Sequence, residues 1–194
     1  MASLVDPCIP AGRLGRDPQP VLPVGDGLRL RPWRLADAPA VVEAFEDPAL
    51  QRWHLRRADS VPEAEGWIKG WQDGWPAETS ARWALASADD DEVLGQTSLR
   101  MIDLLMGEAE CSYWVTRPAR GRGAAPAALA ALSRWALEEA GFHRLFLVHS
   151  VHNALSCRVA AKTGFGFEGT RRSALRHADG WHDMHLHARV AGDA

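Results

Sequence analysis

"RPARGRGAAPAALAALSRWALEEAGFHRLFLVHS", residues 117–150, opens with three arginines and two glycines, passes into an alanine-rich segment and ends on an apolar run. Glycine lets a backbone approach a ligand and take up unusual dihedrals. The first N–H groups of a helix have no partner inside it, and the helix dipole adds partial positive charge at that end. A small-residue turn that opens a helix is therefore suited to an anion, phosphate above all. Arg117, Arg120 and Arg122 add full charges, and Pro126 fits a first turn because its missing N–H is not needed there. The helix shows Leu129, Leu132 and Ala136 on one face and stops at Gly141, with Phe142 available for the apolar contact of a glycine cap. "RLFLVHS" then reads as a strand buried on both faces, as a parallel neighbour would be.

Working outward, "EAECSYWVT" (108–116) is the strand before the turn, and the two strands with the helix between them form a crossover unit. "RWALAS" and "EVLGQTSLRMI" flank an acidic "ADDD" turn and predict a hairpin. "LRLRPW" (28–33) alternates like a strand. "LADAPAVVEAFEDPAL" predicts one helix with Asp37 as N-cap and Pro39 in its first turn. Trp67, Trp71 and Trp75 fall four apart on a further helix and form one stripe. Packing against the core is the simpler reading of that stripe. The other is that it walls an apolar acceptor pocket or an oligomer interface, such as that of a homodimer. "WHDMHLHARV" (181–190) alternates as a last strand. The order predicts a mixed α/β sheet rather than a doubly wound one. Residues 1–27 hold five prolines and four glycines, and no period survives such a density of breakers. They are expected to form a loosely ordered arm, packed in part.

The chain has 194 residues, with 46% hydrophobic and 24% charged, which predicts one globular domain with a substantial core. A net charge of -3 argues against general attraction to nucleic acid or an anionic membrane. No apolar run approaches the ~20 residues of a membrane span. The start "MASLVDPCIP" has no basic segment followed by an apolar one, so no signal peptide is expected. Cys8, Cys111 and Cys157 are far apart and match no metal-ligand spacing, which points to reduced thiols in a cytoplasmic protein. His182, His185 and His187 invite a metal reading. No carboxylate or cysteine completes that site along the sequence, so a polar strand face and no metal centre are expected. Two nucleotide motifs are excluded. No Gly-Lys-Ser/Thr follows the turn, and the next strand ends in His149-Ser150 rather than an acidic residue.

The combination resembles the GCN5-related N-acetyltransferase family. Its pyrophosphate signature is Gln or Arg, two residues, Gly, one residue, Gly or Ala, and Arg120, Gly123 and Ala125 fit it. "HNALSCRVAAKTGFGFEG" is similar to the Asn-x-x-Ser…Lys-x-Gly-Phe…Glu-Gly segment of the RimJ/RimL-like branch, and "LRLRPWRLADAPAV" to its opening. The resemblance covers roughly residues 28–190. It implies an α/β (α+β) fold with residues 28–194 as one acyl-CoA N-acyltransferase domain. The mixed, mostly antiparallel sheet would have six or seven strands, about four helices and a splay between the fourth and fifth strands. It also implies acetyl-CoA as co-substrate, or another acyl-CoA such as succinyl-CoA. The acceptor would be an amine, a peptide or protein N-terminus first and a small molecule second. A coenzyme-A-binding module without transferase activity is the rival from another class.

By the same resemblance, Trp114 and Val115 hold the pantetheine through their main chain. The amides of Arg120, Gly121, Arg122, Gly123, Ala124 and Ala125 hold the pyrophosphate, and Asn153 and Lys162 assist. Many members protonate the leaving thiolate with a tyrosine seven residues after the asparagine. Here that position is Ala160, and Ser156 takes the role as in the RimL-like branch. The glutamate that RimL-like relatives carry seven residues after the Glu of the "FEG" turn, Glu168 here, is Leu175. Glu110 or His149 is then the candidate base, with water-assisted deprotonation as the alternative.

Overall fold

A computed structural model describes residues 4–193. Its eight strands are β1 (Leu22–Gly25), β2 (Leu28–Pro32), β3 (Ala81–Ser87), β4 (Val93–Asp103), β5 (Glu108–Val115), β6 (Arg144–Ser150), β7 (Gly166–His177) and β8 (Gly180–Val190). The helices are α1 (Ala38–Glu46), α2 (Pro48–Gln51), α3 (Val61–Gly74), α4 (Ala124–Trp135), extended by a π turn over Ala136–Ala140, and α5 (Ala154–Lys162). One sheet runs in the order β1-β2-β3-β4-β5-β6-β8-β7. Every pairing is antiparallel except β5 with β6. The mixed α/β class and the crossover unit are as the sequence indicated.

The strand count exceeds the expected six or seven. The extra strand is β1, whose Pro23 and Gly25 read as breakers but which pairs with β2 at the sheet edge. Edge strands tolerate such residues. The helix expected over residues 35–50 is divided. Asp47 precedes Pro48, takes an extended conformation (φ -73°, ψ 115°) and caps α2 instead, because the residue before proline avoids the α region. Asp37 does not cap α1 with its side chain. Its carboxylate binds the Arg31 guanidinium through two bonds of 2.8 Å, and Asp91 meets the same arginine at 2.7 Å.

Two apolar layers sandwich the sheet. On one face α4 packs Ala128, Leu129 and Leu132 against Leu99, Leu145 and Trp83. On the other, α1 and α3 pack Val41, Phe45 and Ile68 around Trp33 and Trp114. The tryptophan stripe of α3 is split between them. Trp75 joins the first layer with Trp83, while Trp67 and Trp71 lie at the margin of the second. Gly141 ends the helix in the left-handed region (φ 93°) and Phe142 is buried beside it, as its sequence suggested.

The segment before β1 is held down rather than loose. Ile9 and Leu14 enter the core. Cys8 and Ile9 donate to the carbonyls of Leu105 and Leu104. The indoles of Trp75 and Trp83 donate to the carbonyls of Asp17 and Pro20, at 2.8 and 2.7 Å. The Glu78 carboxylate accepts the N–H groups of Gly12, Leu14 and Gly15 at 2.6, 2.7 and 3.2 Å. Partial desolvation works against the Glu78 carboxylate, but these three amides hold its pKa below the usual range. Glu78→Ala removes the acceptor of three amides and is expected to destabilise the fold by about 1–2 kcal/mol. Tryptic cleavage at Arg13 and Arg16 should quicken relative to wild type. An unchanged cleavage rate shows that the carboxylate does not hold the segment.

Candidate active site

The parallel pairing of β5 with β6 stops early. Glu108, Ala109 and Glu110 face Arg144, Leu145 and Phe146, and no further pair forms. β5 continues to Val115 along β4, and β6 continues to Ser150 along β8. The strands part at Glu110 and Phe146 and leave a cleft of about 1000 Å³. A bulge in β4 between Arg100 and Asp103, with Met101 at φ 49°, and a second in β7 between Arg171 and Leu175, with Ser173 at φ 44°, bend its two sides. Such irregularities collect beside functional sites.

Thr116 N–H bonds the carbonyl of Leu94, and the β4–β5 register is regular from Val115 to Glu110. Alternation in an antiparallel ladder then commits the main chain of Trp114 to β4 and turns that of Tyr113 and Val115 toward the gap. The main chain of Trp114, expected to face the gap, is therefore paired with β4, and that of Tyr113 faces the gap. The Trp114 indole is buried among Trp33 and Phe45.

Beyond β5 comes the turn. Gly121 and Gly123 lie at φ 75° and 79°, where side chains are strained, and Gly123 sits just before α4. Among the described residues, the amides of Gly121, Arg122, Gly123, Ala124 and Ala125 have no protein acceptor. Arg120 departs from expectation. Its N–H bonds the carbonyl of Arg117, and its side chain bonds the Val115 carbonyl at 3.3 Å and Asp47 at 2.6 Å. It braces the turn instead of presenting an amide. The Asp47 carboxyl is held below its ordinary range by the Ala49 N–H first, with Arg120 adding to the effect. Arg117 and Arg122 are exposed.

Asn153 caps α5, its Oδ1 accepting the Ser156 N–H at 3.1 Å, and both residues line the cleft. The chain's single tyrosine, Tyr113, has its hydroxyl beside Ser156, without a hydrogen bond of good geometry. Burial pushes the Tyr113 phenol up to about 12, with Ser156 opposing the shift. The phenol thus stays protonated. Lys162 is exposed in the last turn of α5 and, like residues 120–125, is not part of the cleft lining.

The two candidate bases are both engaged. Glu110 is tied to Arg100 at 2.6 Å. His149 donates through Nδ1 to the Ser150 carbonyl, 2.8 Å away, and stacks on His187 at 5.2 Å. Burial lowers its pKa, with His187 and His185 adding to the effect. A third group escaped sequence reading. Ser150 Oγ accepts the His152 N–H at 3.1 Å and lies 2.8 Å from His182 Nδ1. His182 Nε2 lies 2.8 Å from Asp179. The consistent proton arrangement is Ser150 O–H to His182 Nδ1, and His182 Nε2–H to Asp179. This serine–histidine–carboxylate chain leads from the cleft wall to the surface. Its one local signal was the Asp179-x-x-His182 spacing across the β7–β8 turn.

Phe45, Trp67 and Trp71 and the basic side chains of Arg56, Arg82 and Arg171 also line the cleft. Arg82 has a buried Nε with no bond. Burial first, then Arg100, pushes its guanidinium down to about 10. Such a group favours an anionic partner.

Residues 27–166 match the family model described as "Acetyltransferase (GNAT) domain". The chain is 32% identical over 101 residues to a ribosomal-protein-serine acetyltransferase of Escherichia coli (strain K12), an overlap of 52% of this chain and 56% of that one. It spans about half the length of the curated relatives it matches. Among solved structures it is similar to RimL, a ribosomal L7/L12 α-N-protein acetyltransferase in complex with coenzyme A. That match has a TM-score of 0.84 at 22% identity and covers 90% of this chain and all of the other (100%). Mycobacterium smegmatis RimJ in complex with a coenzyme A disulfide matches with a TM-score of 0.79 at 25% identity, covering 88% and 84%.

The half-buried imidazole of His54, on the cleft wall, is lowered from 6.5 to about 4, by burial first and then by Arg100 and His177. His149, His177 and His187 are also lowered, each by burial first. These groups bind protons more weakly folded than unfolded, so the unfolded state takes up more protons below pH 6.5. Stability is then fully present above that pH and is lost as the pH falls toward about 4. The midpoint of urea unfolding should decline over this window. A flat midpoint shows that these imidazoles are not held neutral.

Proposed function

Because this chain belongs to the acetyltransferase (GNAT) domain family, we propose that it transfers an acetyl group from acetyl-CoA to an amine, with a peptide or protein N-terminus as acceptor. One observation carries the reading: the gap between β5 and β6 runs up to a turn with five unbonded amides, Gly121 to Ala125. A diphosphate fits those amides at the start of α4. An extended thioester arm fits the strand edge, where Tyr113 and Val115 offer main-chain groups as a missing strand would.

The thioester supplies the activated acyl group. The chain's own residues do the rest. An N–H of β5 facing the gap polarises the carbonyl, in the manner of an oxyanion hole. Ser150 takes a proton from the attacking amine as it passes its own to His182 Nδ1, and Asp179 stabilises the imidazolium. The C–N bond forms, the C–S bond breaks, and Ser156 gives its proton to the departing thiolate and takes one back from solvent, with the Tyr113 phenol beside it. An α-amine, with pKa ~8, suits a histidine base better than lysine, with pKa ~10.4. Arg82, Arg56 and Arg171 favour an acceptor with carboxylates near the reacting amine. The ribosomal-protein acetyltransferases among the relatives support a protein N-terminus.

The test is release of free thiol from acetyl-CoA in the presence of peptides. Acidic N-terminal peptides should react, and the same peptides with a blocked N-terminus should not. Coenzyme A binding without thiol release for any amine marks a binding module instead. Gly123→Val forces a branched side chain into the left-handed region at a cost of about 1–2 kcal/mol. It should weaken coenzyme A binding at least about tenfold in a folded protein, and unchanged affinity removes the turn from the site.

His182→Gln should lower kcat by about 10²–10⁴ with coenzyme A affinity unchanged. Ser156→Ala should lower kcat likewise. An unchanged kcat in His182→Gln rules out the relay.

A further inference from the structure

On the α5 side of the sheet lies a group that the proposed reaction does not use. β6 and β8 pair with Leu147 opposite His187 and His149 opposite His185. Side chains on one strand alternate between faces, so His149, His185 and His187 share the face beneath α5, which brings Cys157. The ligating atoms of these four residues all lie within 4.8 Å of one another. We propose that His149, Cys157, His185 and His187 form a binding site for a single transition-metal ion, with Zn2+ the best match.

Three features support it. First, three imidazoles and one thiol supply four nitrogen and sulfur ligands, the number and type that a tetrahedral zinc ion takes. Tetrahedral bonds of ~2.0–2.3 Å place ligand atoms on the order of 3.3–3.7 Å apart, so side-chain rotations close the present spacing. Second, the inward nitrogens have nothing else to do. His149 Nε2, His185 Nδ1 and His187 Nε2 are buried and make no hydrogen bond, while His149 and His187 are 6% and 3% exposed. Third, the outer nitrogens are already fixed. His149 Nδ1 meets the Ser150 carbonyl at 2.8 Å and His187 Nδ1 meets the Phe165 carbonyl at 3.3 Å. A carbonyl can only accept, so both rings carry the proton on Nδ1 and turn the Nε2 lone pair inward. Carbonyl-oriented histidines of this kind are the usual second shell of a metal. Burial, which lowers the pKa of both rings, favours the neutral, ligating form.

Binding exchanges the Cys157 thiol proton for the metal and releases that proton to solvent. The ion then joins α5 to β6 and β8. The serine–histidine chain at Ser150 and His182 is not part of this group, as His182 lies on the opposite face of β8.

Co2+ added to the chelator-treated full chain should give the intense visible bands of a tetrahedral site and a near-ultraviolet thiolate charge-transfer band. Both should titrate at one ion per chain and be displaced by Zn2+. Zn2+ should also slow alkylation of Cys157 but not of the exposed Cys8. Cys157→Ser should lose the thiolate band. It and His187→Gln should weaken Zn2+ by more than the roughly 10–100-fold that loss of an outer-shell partner costs. His185→Gln, at a less buried position, makes the same test should His187→Gln fail to fold. Cobalt binding without a thiolate band, as at the separate His177 and His182 pair, overturns the proposal. Unchanged alkylation of Cys157 with Zn2+, or undiminished affinity in the variants, does so too.

Discussion

The site exists because two strands that start together are each claimed by a different neighbour. β5 is bound along β4 as far as Val115, and β6 along β8 as far as Ser150. Only three residues of each can pair with the other. Gly95 shows how tightly the first claim is enforced. A Cβ there would meet the Trp114 carbonyl oxygen at 2.4 Å, so only glycine lets β4 lie this close to β5. With both strands committed elsewhere, their facing main-chain groups are left without a strand partner, and the turn into α4 continues the same unpaired edge.

That gap separates two kinds of surface. On the α4 and α5 side are the turn amides, Tyr113, Ser156 and the histidine–cysteine group. On the α1 and α3 side are aromatic and cationic residues together with Ser150 and its relay. The turn amides and the aromatic and cationic residues thus lie on opposite faces of one sheet and meet only where the sheet is open. The bulges in β4 and β7, where Met101 and Ser173 take positive φ, bend the two sides of the cleft.

The parts legible in the sequence were those set by short-range rules. The glycine turn, the α4 start and the Gly141 cap are each fixed by residues a few positions apart, and each reads the same in the structure. The division of the first helix at Asp47 needed only Pro48, yet periodicity across it concealed the break. β1 was hidden because Pro23 and Gly25 are breakers everywhere except at an edge. The long-range features were not legible. Nothing local joins Arg120 to Asp47, or Ser150 to His182. His185 and His187 could be placed on one face by alternation, but their meeting with His149 and Cys157 depends on the β6–β8 register and the docking of α5.

The ends of the sheet carry one more consequence. A free edge is a template onto which another chain can add. β1 is four residues long and contains Pro23. β7 is long, but it is interrupted by a bulge and presents Arg171, Arg172 and Arg176 to solvent. One border is too short and the other too bent and cationic to recruit strands from misfolded copies. The chain can therefore keep a permanently unzipped seam at its centre without inviting fibrils at its margins.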